Sequence, residues 1–409
     1  MPSRPQTRAT LIAMIVALTI GAVAGVTRHQ AADAAEGPVP GIGIQRLGSS
    51  YANAAGYDRY AYVITGRADA AAAATQPGTS LVYHSGVSVN TVWDSGVPYS
   101  VASANGWLLT SSSGELLRNV NYPDNYIGDV GNSAYQAEWA RRVGDYLASV
   151  GADGVYIDDV IADVTTMTGG IAPGRYPSQA AWEDAMVSFV TAIGATLRAR
   201  GFYVLLNAHK YIAGNGGSDD GSLEAQWWRR LAPSVSGLMN EHFVQNAANP
   251  AQFRATGSEW YNQWAGWQGL VAVAQNAGVD FFGLTYAMPA DTRWLRYAKG
   301  SFLLDWDGGG GALIVNPSPD ASSPGDSDPW SSEWAVDIGR PSGAKYQVGV
   351  GWRRNFSEGT VVVNPSSGTF QTFPLGAAYA MPDGSTVTTV TLSPMSALIL
   401  RSTGTTPPV

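Results

Sequence analysis

The sequence predicts an α/β fold, a (β/α)8 TIM-like barrel, followed by a small C-terminal all-β sandwich. Three observations carry this. Between residues 57 and 316, short apolar runs alternate with helix-period segments. Eight such runs can be marked out, the number a closed parallel barrel needs. Beyond residue 316 the helix period disappears and short alternating strands follow one another between turn residues. The expected domains are a signal peptide at 1–34, a barrel at 40–318 and a β-sandwich at 325–403. A doubly wound open sheet is the alternative for the first part.

The chain begins with Arg4 and Arg8, an uncharged stretch LIAMIVALTIGAVAGVT, Arg28, and then small residues, AADAAEG. This order is that of a secretory signal, with cleavage expected at Ala32-Asp33-Ala34 and a secreted, extracellular product. An uncleaved membrane anchor is the alternative, because the apolar run approaches spanning length. The following GPVPG reads as a flexible lead-in.

The strand candidates are YAYVITG (60–66), SLVYHSG (80–86), NYIGDVG (125–131), GVYIDDV (154–160), FYVLLNA (202–208), GLMNEHF (237–243), VDFFGLTYAM (279–288) and ALIVN (312–316). Helical patterns at 134–151, 178–201, 222–235, 259–278 and 291–304 precede the fourth to eighth of these, and most end near Gly or Pro. Residues 87–124 lack a clear helical pattern, so the early barrel is expected to be irregular. NPSPDASSPGDSDPWSSE then connects to AKYQVGVGWRR, GTVVVNPS, TFQTFPL, AYAMPDG, TVTTVTL and SALILRS. Asp320, Asp326 and Asp328 in that connection read as a solvated linker, with a calcium loop as the alternative.

Composition narrows the function. With 45% hydrophobic residues the chain can bury a large core. Only 14% of residues are charged, the net charge is -8 and no basic run occurs, which argues against a nucleic-acid partner. There is no Cys, so thiolate nucleophiles, disulfides and Cys-based metal sites are excluded. With His29 in the leader, a Ser-His-Asp site would have to use His84, His209 or His242, and no G-x-S-x-G, H-E-x-x-H or phosphate-loop motif is present. Low charge with 14 Trp, 19 Tyr and 48 Gly suits a neutral, ring-shaped ligand. No cofactor is expected, and the membrane enters only through the leader, if it stays uncleaved.

In a barrel of this kind the working residues lie at the C-terminal strand ends. Those ends carry Tyr83 and His84, Asp129 and Asn132, Asp158-Asp159, Asn207 with His209 and Lys210, Asn240-Glu241-His242, and Tyr286. Alternation sends Tyr156 and Asp158 to one face and Val155 and Ile157 to the other. Aliphatic side chains should meet the helices, which turns Asp158 inward. The same logic turns Met239, Glu241, Tyr203, Leu205, Asn207 and His209 inward. Asp158 and Glu241 then face each other across the mouth, the arrangement glycoside hydrolysis requires. Asp159 is held in reserve as nucleophile or orienting group, and Asp129, Asn207, His209, His242, Tyr286 and Tyr83 are candidate substrate contacts. A mixed metal site of these acids with His209 and His242 is the competing arrangement, though the spacing fits no compact ligand motif. Trp227-Trp228 reads as helix packing.

ADGVYIDDV, GLMNEHF and the C-terminal WRRNFSEGTVVVNPS…VTLSPMSALIL together resemble the glycoside hydrolase-like family fifteen. More distantly the chain is similar to the endo-α-polygalactosaminidase group. The resemblance implies a secreted glycosidase that retains anomeric configuration, with Asp158 as nucleophile and Glu241 as acid/base. A non-catalytic carbohydrate-binding protein on the same scaffold is the alternative, and a metal-dependent hydrolase a third.

Overall fold

Eight parallel strands close into a barrel: β1 (Val39–Arg46), β2 (Tyr60–Thr65), β3 (Thr79–Ser85), β4 (Gly154–Ile161), β5 (Tyr203–His209), β6 (Gly237–Asn240), β7 (Asp280–Tyr286) and β8 (Ala312–Asn316). The circle is completed by β8 lying beside β1, where Leu313 pairs with Ile42. This computed structural model describes residues 38–47, 56–210, 222–246, 249–256, 264–318 and 328–404. All of these belong to one compact unit, Gly37–Val409. The expected leader (1–34), and Asp320 and Asp326, lie outside the described residues. Among the described residues no helix is long and apolar enough to cross a membrane.

The period-two pattern sorts side chains as expected. Ile64, Leu81, Tyr156, Leu205, Met239, Phe282, Leu284 and Ile314 fill the barrel. Val155, Ile157, Val204, Leu206 and Leu238 face outward into the larger core. The helices covering them are α1 (Ser133–Val150), α2 (Gln179–Ala199), α3 (Ser222–Leu231), α4 (Trp264–Asn276) and α5 (Thr292–Leu303). Asn132 caps α1 by accepting from the Ala134 and Tyr135 amides, and Ser178 caps α2 through the Ala181 amide. Trp227 and Trp228 are fully buried, and their indoles donate to Val160 and Ala208 carbonyls, so both serve packing.

Two expectations for the early barrel are corrected. The first barrel strand is β1, which begins inside GPVPG, the stretch read as a lead-in, and is not among the strand candidates. Its apolar residues are few and interleaved with glycines, and at Gly43 a Cβ would lie 2.9 Å from the Tyr62 carbonyl oxygen, so the pattern is thin for a steric reason. Conversely, NYIGDVG is not a barrel strand. Only Asn125–Ile127 is extended, and it pairs antiparallel with Ser88–Asn90 in a two-stranded ribbon outside the barrel. The two errors offset each other, so β4 to β8 keep their expected order.

The C-terminal strands are β9 (Tyr346–Val348), β10 (Gly351–Asn355), β11 (Gly359–Asn364), β12 (Gln371–Ala380), β13 (Thr386–Leu392) and β14 (Ser396–Ser402). They form one antiparallel sheet in the order β9-β10-β11-β14-β12-β13, curled into a half-barrel. Val362, Phe373, Leu375, Tyr379, Leu398 and Leu400 fill its inside. Val361, Val363, Ala397 and Ile399, on the other face, join the main core. There α5 approaches closely because residue 300 is Gly, where a Cβ would stand 2.7 Å from that of Ala397. Arg354 donates to the Leu303 and Trp306 carbonyls at the end of α5, satisfying acceptors the helix itself cannot. The acid of the connection that is described, Asp328, is engaged by Arg59 and by the Tyr60 hydroxyl at 2.5 Å.

Candidate active site

The register of β4 against β5 slips between Ile157 and Val160, which pair with Leu206 and Ala208. Asp158 and Asp159 therefore oppose the single residue Asn207, which is a β-bulge. Asp159 takes a left-handed backbone, φ 61°. The bulge overrides simple alternation. Asp158 still points into the mouth, but Asp159 turns sideways, and its Oδ2 accepts from Ser85 at 2.9 Å and Ser88 at 3.3 Å.

Glu241 follows β6 in a tight turn. His242 (φ 58°) and Val244 (φ 47°) both adopt the left-handed region there, a conformation that costs non-glycine residues energy. The turn is tied to β7. The Gln245 side chain donates to the Tyr286 carbonyl at 2.7 Å and accepts from the Tyr286 amide at 3.0 Å, while the Phe243 amide donates to Leu284.

Asn207 joins the two turns. Its Nδ2 donates to Asp158 Oδ1 at 2.8 Å and to Glu241 Oε2 at 2.7 Å. Glu241 also accepts the Tyr286 hydroxyl at 2.6 Å and has His209 Nε2 and His242 Nε2 each 3.7 Å away. His209 is oriented from behind by Glu224 of α3, 3.1 Å from its Nδ1. Tyr83 reaches Asp158 with its hydroxyl, and the ring of His242 lies 5.0 Å from that of Tyr286.

Seven of the residues expected at the mouth are thus in contact: Asp158, Glu241, Asn207, His209, His242, Tyr286 and Tyr83, with Asp159 adjoining. Asp129 is not among them. It follows the outlying ribbon, and its carboxylate is engaged by Arg175 and by the Tyr176 hydroxyl at 2.5 Å. His84 points away from the mouth and is packed against Trp139 and Tyr146. Lys210 is paired with Glu183, 3.4 Å away. Three residues that matter to the geometry escaped the sequence argument: Glu224, Ser85 and Ser88. Glu224 carried a faint signal, as an acid in the first turn of the helix after β5.

Three buried carboxyls this close cannot all ionise cheaply. Burial, together with the charges of Asp159 and Glu241, pushes Asp158 up to about 7. Asp159 is raised by burial, opposed by its two serine bonds. Burial also opposes ionisation of Glu241, but His209, His242 and Tyr286 outweigh it and hold that carboxyl well below the usual range. Of the three carboxyls, Asp158 is thus pushed up toward neutrality while Glu241 is held in its ionised form. Among the described residues no group of His, Asp and Glu side chains is arranged to hold a metal ion.

Comparison with curated proteins finds no match. Among solved structures, Ega3 of Aspergillus fumigatus, in complex with galactosamine, is 13% identical with a TM-score of 0.39, covering 62% of this chain and 79% of that one. An α-amylase from Malbranchea cinnamomea is 11% identical with a TM-score of 0.49, covering 89% and 96%. The isomalto-dextranase of Arthrobacter globiformis T6, complexed with panose, is 14% identical with a TM-score of 0.47, covering 91% and 73%. Likenesses at this level carry no weight for what this chain does. By contrast, residues 83–360 match the family described as hypothetical glycosyl hydrolase family 15, a span that runs from β3 into β11 and takes in Asp158, Asn207 and Glu241. That is well over half of the sequence, and the chain belongs to this family of carbohydrate-active proteins.

Proposed function

We propose that the protein is a retaining glycoside hydrolase whose working pair is Asp158 and Glu241. The observation that carries this reading is the shared Asn207 amide. Two oxygens bonded to one nitrogen at 2.8 and 2.7 Å cannot stand further apart than those bonds laid end to end. The nearest oxygens of the pair are therefore within about 5.5 Å, a closeness that supports retention over the wider carboxyl separation of an inverting site, roughly 6.5–9.5 Å.

In this reaction Asp158 attacks the anomeric carbon as the bond to the leaving oxygen breaks, and Glu241 gives that oxygen its proton. Glu241 then takes a proton from water, the water oxygen bonds to the anomeric carbon, and Asp158 is released. Asn207 keeps both carboxyls in register, Tyr286 and the two histidines orient Glu241, and Asp159 holds the bulge that aims Asp158.

One observation favours exchanged roles. Asp158 is the carboxyl pushed up toward neutrality, as an acid's is, and Glu241 is held toward its ionised form, as a nucleophile must be. Azide separates the two. With an activated aryl glycoside, the Asp158→Gly protein should yield a glycosyl azide of inverted configuration if Asp158 is the nucleophile, and of retained configuration if it is the acid/base. A screen of the mature protein against bacterial wall and capsular polysaccharides supplies the natural substrate class. Undiminished turnover in both Asp158→Asn and Glu241→Gln proteins would remove the proposal altogether.

The leader supports export. Protein recovered from culture medium should begin at Ala35, and recovery of the full-length chain from membranes would refute cleavage.

A further inference from the structure

The excursion from β3 to α1, residues 86–132, contains the Ser88–Asn90 and Asn125–Ile127 ribbon and exposes several large apolar side chains. Trp93 is 40% exposed and Tyr122 63% exposed. An exposed aromatic on a long loop is unremarkable by itself. Trp93 differs in how it is held and in what it leans on.

The turn that carries it is fastened from both sides. Asn90 Oδ1 accepts from the Val92 amide at 2.6 Å and from the Trp93 amide at 2.9 Å. The same side chain donates to Asn125 of the opposing ribbon strand at 2.5 Å. Ser95 closes the turn by donating to the Ser88 carbonyl at 2.5 Å. Ser88, at the other end of this short strand, is one of the two serines bonded to Asp159. The ribbon therefore runs from the bulge beside Asp158 to the turn bearing Trp93.

That turn brings the indole beside Tyr83. Its ring centre lies 6.0 Å from that of Tyr83, whose own ring is 5.9 Å from Tyr156 inside the barrel. Tyr83 is also the tyrosine that reaches Asp158. A wide, partly exposed aromatic face thus stands one side chain away from the carboxylate pair.

We propose that Trp93 is a stacking platform for a pyranose ring of the substrate, seated in the subsite that adjoins the Asp158–Glu241 pair. The inference rests on the glycosidase reading. The axial C–H face of a neutral sugar is apolar and matches an indole, while its hydroxyls remain free for His209, His242 and Asn207. A pre-tied turn loses little conformational freedom on binding, so the stacking energy is not spent on ordering the loop.

The test uses the full mature protein in an Asp158→Asn background, which keeps the cleft and stops turnover. The probe is an immobilised panel of bacterial wall and capsular polysaccharides. Asp158→Asn should bind at least one member, and adding Trp93→Ala should weaken that binding by roughly tenfold or more. Trp93→Phe should restore most of it, because a flat ring remains. Equal melting temperatures for the three proteins show that the loss is not unfolding. Unchanged binding by the Trp93→Ala protein, or no binding of any panel member by Asp158→Asn, would overturn the platform. The catalytic reading fails separately, if Asp158→Asn with Trp93 intact turns over a polysaccharide as fast as the unaltered protein.

Discussion

The two ends of the barrel both bury a carboxyl against a tyrosine, yet they are built to opposite ends. At the floor, Tyr203 donates to Asp280 at 2.7 Å, and Tyr62 and Tyr203 pack edge-on to Phe282. Gly237 is required there, because a Cβ would lie 2.7 Å from the Phe282 ring. At the mouth, Tyr286 donates to Glu241 at 2.6 Å, a nearly identical bond. The difference lies in the company each carboxyl keeps. Asp280 has no second carboxyl bonded to the same donor, whereas Glu241 shares the Asn207 amide with Asp158, and Asp159 adjoins. The mouth also holds three non-glycine residues in left-handed backbone, Asp159, His242 and Val244, and the floor holds none of those described. A buried Tyr–carboxylate bond is thus common to both ends. Crowded like charge held on a strained backbone is what sets the mouth apart.

The comparison predicts large catalytic effects at the mouth. Asp158→Asn should lower kcat on a confirmed substrate by roughly 10^4-fold, since no neutral side chain can replace the attacking oxygen. The same substitution should raise the melting temperature at and above neutral pH, because it removes the cost of ionising a third carboxyl in a crowded, buried cluster. A variant that is inactive but less stable would mean the crowding was not costly and the contrast with the floor is false. Glu241→Gln should cost about 10^2–10^4-fold on substrates with poor leaving groups. Kinetics on an activated aryl glycoside should show much of that loss bypassed.

A smaller, pH-linked effect sharpens the contrast. Asp158 is pushed up from 3.8 to about 7, so the folded protein holds a proton there that the unfolded chain has released. Stability associated with this group is complete below about pH 4 and is lost as the pH rises through about 7. Melting curves across that window should fall with pH in the unaltered protein and flatten in Asp158→Asn. With Asp158 as nucleophile, kcat/KM should rise over the same window. A falling limb near 7 would instead assign Asp158 the acid's role and exchange the pair.

Much of this was legible in the sequence, and the failures have definite causes. Period-two alternation placed Tyr156, Leu205 and Met239 inside the barrel, and with them Asp158, Asn207 and Glu241 at the mouth. It worked because the outward face of each strand must be aliphatic to meet a helix. It failed at Asp159, where a bulge breaks the period that the argument assumes. It failed again at β1, whose glycines make room for neighbours and so erase the apolar signal. Asp129 was misplaced along with the ribbon it follows, since three extended residues read the same in a ribbon as in a barrel. Glu224 left only the faint signal of an acid in a first helical turn, because its role is contact with His209, which no local pattern records.

The smallest expected effect on activity is at the floor, and it is the sharpest check on the comparison. Tyr203→Phe removes the hydroxyl that donates to Asp280 and keeps the ring that packs against Tyr62 and Phe282. Asp280 is only partly buried, so water can replace part of what it loses, and the cost should be about 1 kcal/mol of stability. Burial already raises the Asp280 pKa and the Tyr203 bond opposes that rise, so Asp280 should titrate higher in the variant. Turnover should be unchanged, because Tyr203 opens β5 at one end and Asn207 stands near its other end, with the packed barrel core between them. Chemical denaturation and steady-state kinetics on the same preparation read both quantities. A fall in kcat beyond the experimental error, with stability lowered by no more than this, would show that the floor reaches the carboxylate pair through the barrel core and that its carboxyl belongs to the working machinery after all.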